Sequence, residues 1–155
     1  METTIEKISR KTGKKPIECK CNKCKMQCSH PCLGTPEDML KIIGAGYEKR
    51  VMKILWTGAI NLGLTDKEIP MITPLYDKEK KACTFFTNGL CELHDSGLKP
   101  TEGKLSHHST ELNEFNKKKS IGWAVAKEWM SVSDEEIKGL VDKYVKKPAN
   151  MQGVV

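Results

Sequence analysis

The chain has 155 residues, of which 38% are hydrophobic and 30% charged, a length that fits one domain and an apolar fraction that predicts a modest core. No apolar run is as long as a signal peptide requires or reaches the roughly 20 residues of a membrane span, so we expect a cytoplasmic protein without a membrane partner. The net charge of +6 counts the thiols as neutral. Cysteines bind metal as thiolates, which lowers this net charge, so charge alone does not indicate a polyanionic partner.

The termini differ in composition from the rest of the chain. Residues 1–18 are polar and Lys-rich without periodic apolar spacing, which predicts a flexible N-terminal arm with little core. Residues 19–147 form the predicted Cys-rich metal-binding domain, and residues 148–155 have the composition of a frayed C-terminal tail. The sequence thus predicts one folded domain with an extension at each end.

A helix is predicted directly after the first group of cysteines. Thr35 is a favourable N-cap, Pro36 suits the first helical position, and the acidic residues that follow it favour the positive end of the helix dipole. Gly44 and Gly46 lie where this helix can end, and the apolar spacing over residues 47–55 then favours a resumed helix.

Two reversals are predicted in the middle of the chain. The apolar runs Met71–Tyr76 and Ala82–Phe86 flank a charged turn, which is typical of a β-hairpin. A second turn at Asn88-Gly89 has the preference for positive φ that tight reversals need, and we expect it to bring Cys83 and Cys91 towards each other.

Two helices are predicted towards the C-terminus. Residues 121–130 form an amphipathic segment whose Trp123 and Trp129 we expect to join Trp56 in the core. Ser133 begins a capping box for the last helix. The complete set of elements predicts a small, helix-rich, single-domain α+β fold with a β-hairpin, organised around a Cys-rich metal site.

Cysteine is the most informative residue type in this sequence. Seven cysteines argue against a disulfide framework, because cytosolic thiols stay reduced and an odd number leaves one unpaired. Five of them fall within 14 residues with short, Lys-containing spacers, and thiolates this close can converge on one tetrahedral ion. This first half-site consists of Cys19, Cys21, Cys24, Cys28 and Cys32.

A second half-site consists of Cys83, Cys91 and His94, which supply two thiolates and an imidazole beside a predicted turn. The two half-sites together offer eight ligands, the number that two four-coordinate ions use, although one ion with spare thiols also fits. Thiolates accept zinc and iron alike, so we expect zinc first, with iron or an iron-sulfur cluster as the alternative.

Parts of this pattern resemble the YkgJ-like family of Cys-rich zinc- or iron-chelating proteins, which carry an N-terminal C-x2-C-x2-C-C cluster. Cys21, Cys24 and Cys28 fall on that cluster, and residues 83–94, CTFFTNGLCELH, are similar to the family's later C-x-F-L…G-x-C-x-I-Y segment. The resemblance covers roughly residues 19–100 and implies metal chelation without a common reaction. The family's usual R-P-x-x-C-R ending is absent, since no cysteine follows Cys91. His94, His107 or His108, or the extra Cys19 and Cys32, could replace that ligand, and His94 is the first choice for its spacing.

The remaining polar motifs favour simpler roles. His107 and His108 are adjacent and cannot both point the same way, so a surface or helix-start role is favoured over ligation. The lysine runs 117–119 and 146–147 lack interleaved aromatic residues, which favours a solvated face over nucleic-acid contacts. The sequence contains no Gly-rich phosphate loop or nucleophile elbow, so any catalysis would have to reside at the metal.

Three functions remain open from the sequence. A structural or chelating metal module, with a protein partner as an open option, is favoured by the dense thiolate set. A metal- or iron-sulfur-dependent redox enzyme would use the same cysteines with incomplete ligation. A zinc-knuckle nucleic-acid binder is the weakest of the three, because its basic flanks lack stacking residues.

Overall fold

A computed structural model describes residues 2–16, 26, 29–106 and 117–144 of the chain. The described residues form an α+β fold in which helices pack around short pairs of antiparallel strands. The helices are α1 (Thr4–Thr12), α2 (Pro36–Ile42), α3 (Gly58–Asn61), α4 (Thr101–Leu105), α5 (Ile121–Met130) and α6 (Asp134–Tyr144). The strands are β1 (Val51–Trp56), β2 (Ile69–Pro74), β3 (Tyr76–Asp77), β4 (Ala82–Cys83), β5 (Phe86–Thr87) and β6 (Leu90–Cys91), paired β1–β2, β3–β4 and β5–β6.

The N-terminal segment contains a helix, so the predicted flexible arm over residues 1–18 is wrong for residues 4–12. The Thr3 hydroxyl accepts a hydrogen bond from Glu6 N, and Gly13 ends α1 with a φ of +73°. Ile8 is fully buried in the main core, where α1 packs against α5. Apolar periodicity did not predict this helix, because the helix is held by one buried isoleucine and a cap at each end and has no repeating apolar stripe.

The helix predicted after the first cysteine group is confirmed, together with its cap. Asp38 N donates to Thr35 Oγ1 at 3.1 Å, and Thr35 N donates back to Asp38 Oδ2 at 3.0 Å. This reciprocal pair is a capping box, and Pro36 occupies the first turn. Met39 and Ile42 bury the inner face of α2 against the core.

The resumed helix predicted over residues 47–55 is wrong, because Val51–Trp56 is the strand β1. Gly46 has a φ of +99° and breaks the helix before this point. β1 pairs antiparallel with β2 along its whole length, from Val51 opposite Pro74 to Trp56 opposite Ile69. β2 is almost wholly buried because α2, α5 and α6 pack on it, and its long-range pairing decided the conformation of β1.

The two predicted turns are confirmed, but the strands that they join are shorter than expected. Asp77 Oδ1 accepts hydrogen bonds from Glu79 N and Lys80 N, which closes the turn between β3 and β4. Most of the first predicted hairpin strand instead pairs with β1. Asn88 and Gly89 have φ values of +53° and +76°, as a two-residue β-hairpin turn requires.

The C-terminal helices confirm the predicted segments. The Ser133 hydroxyl accepts a hydrogen bond from Glu136 N at the start of α6. Trp129 is only 1% exposed and lies in the core, whereas Trp56 and Trp123 are partly buried against it. Among the described residues, no helix has the length and apolar character needed to cross a membrane.

Candidate metal centre

The described part of the chain contains half of the predicted ligands. Cys32, Cys83, Cys91 and His94 lie within it, whereas four cysteines of the first half-site and the two adjacent histidines lie outside the described residues, namely Cys19, Cys21, Cys24, Cys28, His107 and His108. Between positions 29 and 106 and in the other described ranges, no three Cys, His, Asp or Glu side chains group as a metal site would require. The second half-site therefore does not close on its own.

Cys83 lies in β4 with only 5% of its surface exposed. Its backbone N donates a hydrogen bond to Ser29 O at 2.8 Å. Ser29 is the residue directly after Cys28, and its own N and hydroxyl both bond to Met26 O, which closes a local turn. Ser29 is thereby fixed against the strand that carries Cys83.

Cys32 is half-buried beside α4. Its sulfur lies 3.9 Å from His30 O, and a Cβ atom added at Gly103 would lie 3.1 Å from it. A side chain at position 103 would therefore crowd the thiol, so glycine leaves the room that Cys32 occupies. Leu33, the next residue, donates from N to Glu102 Oε1 and accepts at O from Glu102 N, both at 3.0 Å.

Helix α5 also contacts the segment that follows Cys32. Trp129 Nε1 donates to Gly34 O at 2.7 Å inside the core. The helix cap at Thr35 follows immediately. Because three successive residues are bonded to α4, α5 and α2, the backbone position of Cys32 is defined by the fold of the whole domain.

The second half-site is tied together by one guanidinium group. Arg50 donates to the carbonyl of Thr84 and to the carboxylate of Glu92. Thr84 directly follows Cys83 and Glu92 directly follows Cys91. The same side chain therefore contacts the backbone beside Cys83 and the side chain of the residue beside Cys91. Cys91 itself lies opposite Phe86 in the β5–β6 pair, and Cys83 lies opposite Tyr76, so the two cysteines are not cross-strand partners.

His94 is half-buried and belongs to the turn that follows β6. Its backbone N donates to Cys91 O at 3.1 Å, so the C-x2-H spacing forms a compact turn. Leu93, buried at 1% exposure, anchors this turn in the core. The bond places the backbone of His94 next to that of Cys91, and the shared ligation of these two residues stays a prediction.

Thr84 is a feature of the site that sequence reasoning missed. Its Oγ1 atom is buried and has no hydrogen-bond partner among the described residues. A buried hydroxyl without a partner is destabilising by about 1–3 kcal/mol, and native proteins seldom retain one. Next to a buried cysteine, this hydroxyl together with a soft thiolate donor set fits a bound metal, because a metal-bound sulfur accepts hydrogen bonds. No sequence signal marks it, since its burial depends on long-range packing.

Comparisons with known proteins identify no relative. No family model, curated protein or solved structure matches the chain. The resemblance of residues 19–100 to the YkgJ-like family therefore stays a prediction, and the functional argument depends on the residues of this chain.

Replacing Arg50 tests how firmly the second half-site is fixed. Lysine keeps the charge but cannot bond Thr84 and Glu92 with one planar group or stack on Phe85, whose ring centre lies 4.2 Å from the guanidinium carbon. We expect Arg50→Lys to lower the free energy of unfolding by about 1–2 kcal/mol in urea titrations. The matched control is Arg10→Lys, whose exposed pair with Glu2 predicts a loss below about 0.5 kcal/mol. Equal losses in the two variants would contradict the bridging role.

Glu102 makes stability depend on pH. Burial raises the pKa of this carboxyl, and the hydrogen bond from Leu33 N opposes the rise only in part. The folded protein therefore binds the proton more tightly than the unfolded chain, and the free energy of unfolding falls as pH rises from the ordinary glutamate pKa through the raised one. We expect Glu102→Gln to be more stable than the wild type at neutral pH and equally stable below the ordinary glutamate pKa. Urea titrations across that range measure this difference, and a pH-independent difference would reject the prediction.

Proposed function

We propose that this chain is a metal-binding protein in which clustered cysteines hold zinc, or alternatively iron or an iron-sulfur cluster, as a structural or chelating module. The proposed ligands come from both half-sites: Cys19, Cys21, Cys24, Cys28, Cys32, Cys83, Cys91 and His94. The proposal includes a cytoplasmic location, because thiols stay reduced there. It also includes kinship with the YkgJ-like family, supported by the similarity of residues 83–94.

The observation that supports this proposal most directly is the hydrogen bond from Cys83 N to Ser29 O. It joins the strand of the second half-site to Ser29, which lies in the sequence between Cys28 and Cys32, and this contact supports a site shared by the two half-sites. Thiolates that bind one ion have to approach to within about 2.3 Å of it, which requires the segments that carry them to lie close together.

The chain's own groups also favour ionised thiols. Lys20, Lys23 and Lys25 alternate with the cysteines of the first half-site and stabilise thiolate over thiol by charge. The clamps on Leu33 and Gly34 fix the approach of Cys32, so little backbone freedom remains to be lost on binding. A bound metal ion would cross-link the two segments and add folding free energy.

The test is elemental analysis of protein purified anaerobically, combined with its visible spectrum. One or two zinc ions per chain in colourless protein support the structural or chelating module. Iron with sulfide and a broad visible band moves the assignment to the iron-sulfur alternative. Protein that retains no metal and binds neither added Zn²⁺ nor added Fe²⁺ under reducing conditions overturns the proposal.

A further inference from the structure

Thr84 has a buried side-chain hydroxyl whose lack of a hydrogen-bond partner calls for an explanation. Both backbone groups of this residue are paired, because Thr84 N donates to Leu75 O at 2.9 Å and Thr84 O accepts from Arg50. The side-chain oxygen alone has no partner among the described residues, although water is excluded from it. The backbone bonds fix the position of the residue, and burial of the oxygen denies it a hydrogen bond to bulk water.

The position of Thr84 limits what the missing partner can be. Cys83 precedes it, and the N–H of Cys83 bonds to Ser29 at the end of the first half-site. On its other side, Arg50 joins Thr84 O to Glu92, the neighbour of Cys91. Thr84 therefore directly follows one proposed ligand, Cys83, and is joined through Arg50 to the neighbour of another, Cys91.

We propose that the Thr84 hydroxyl donates a hydrogen bond to a metal-bound thiolate sulfur of the cysteine site and acts there as a positioning residue. This inference depends on the proposed metal binding. A metal-bound thiolate keeps negative charge on sulfur and accepts hydrogen bonds, and such donors orient the ligand and tune the metal. Loss of a supporting hydrogen bond of this kind typically lowers metal affinity 10–100-fold.

The experiment compares three variants of the full chain. Thr84→Val removes the hydroxyl at nearly constant volume, Thr84→Ser retains it, and Thr87→Val removes a hydroxyl from a half-buried threonine in the neighbouring hairpin. The probe is Co²⁺, whose affinity is measured by competition with a chelator and whose thiolate-to-metal charge-transfer band reports on the sulfur. The unfolding of each metal-free variant in urea is measured in parallel.

We expect Thr84→Val to bind Co²⁺ about 10-fold more weakly than the wild type and to shift the charge-transfer band, while its metal-free form is as stable as the wild type or more stable. A lower Co²⁺ affinity without a loss of metal-free stability distinguishes a sulfur contact from a merely structural role. Loss of a structural contact would lower both the Co²⁺ affinity and the stability of the metal-free form. Thr84→Ser should restore the affinity and the band, and Thr87→Val should leave both unchanged.

Two results would overturn the inference in distinguishable ways. If the wild type binds Co²⁺ with a thiolate band and Thr84→Val is indistinguishable from it, the hydroxyl does not contact the site, and the proposed function stands. If the wild type gives no thiolate band with Co²⁺, the cysteines do not bind a divalent ion; the zinc module fails and the inference fails with it, while the iron-sulfur alternative is decided by the iron and sulfide analysis.

Discussion

Chelation of the proposed metal should unfold this protein, as judged by loss of helical circular dichroism and of cooperative melting. Structural zinc contributes an apparent binding free energy of about 10–16 kcal/mol, which is comparable with the whole stability of a domain. Only 38% of the residues are hydrophobic, so the core has little stability in reserve. We expect a strong chelator under reducing conditions to abolish the thermal transition and added Zn²⁺ to restore it. Unchanged melting after verified metal removal would contradict a structural role for the metal.

The same expectation applies to individual ligands. Cys83→Ala should reduce the metal content and lower the melting temperature, because it removes a buried residue that is a proposed ligand. The matched control is Val51→Ala, which removes two methyl groups at a similarly buried position and should lower stability by about 2 kcal/mol without changing metal content. Full metal occupancy in Cys83→Ala would remove Cys83 from the ligand set.

A double-mutant cycle decides whether the half-sites share an ion. Cys24→Ser should also lower metal content and stability, and if Cys24 and Cys83 bind the same ion, the double variant should lose little more than either single variant. Additive losses of metal, from two equivalents to one and then to none, would instead assign the two cysteines to different ions. Elemental analysis of the four proteins provides this comparison.

The features that could be predicted from the sequence are those whose physics is local. The capping box of α2 needs only Thr35 and Asp38, three residues apart, and the turn at Asn88-Gly89 needs only the tolerance of those residues for positive φ. By contrast, β1 is a strand because β2 pairs with it after an intervening segment, and periodicity within residues 47–55 could not reveal that partner.

The same distinction between local and long-range features applies to the candidate site. Cysteine crowding identified the proposed ligands, because dense thiols in a Lys-rich segment are unusual without a metal. Arg50, Thr84 and Glu102 carry no such mark, because their roles depend on contacts with residues distant in the chain. Groups that support a site are therefore found only after folding has brought their partners together.

Loss of the Asp38 carboxylate should strongly destabilise the protein, although Asp38 itself is only half-buried. Asp38 Oδ2 accepts three hydrogen bonds, from Thr35 N at 3.0 Å, from Thr101 N at 2.9 Å and from Thr101 Oγ1 at 2.6 Å. Thr101 is fully buried, so Asp38→Ala leaves its N–H and hydroxyl without an acceptor and without access to water. We expect the free energy of unfolding to fall by about 3–4 kcal/mol in urea titrations.

The comparison with other variants identifies the cause of that loss. Asp38→Asn keeps an acceptor oxygen but not its charge and should lose about half as much, since hydrogen bonds to charged groups are roughly twice as strong as neutral ones. Asp66→Ala, at an exposed position, should stay within about 0.5 kcal/mol of the wild type. Helix α4 begins at Thr101 and carries Glu102, whose carboxylate holds Leu33. Loosening this helix should therefore also weaken the proposed metal binding through Cys32. If Asp38→Ala lowers stability but leaves metal affinity unchanged, the position of Cys32 does not depend on α4, and the contacts of Ser29 and Gly34 alone must hold that end of the first half-site.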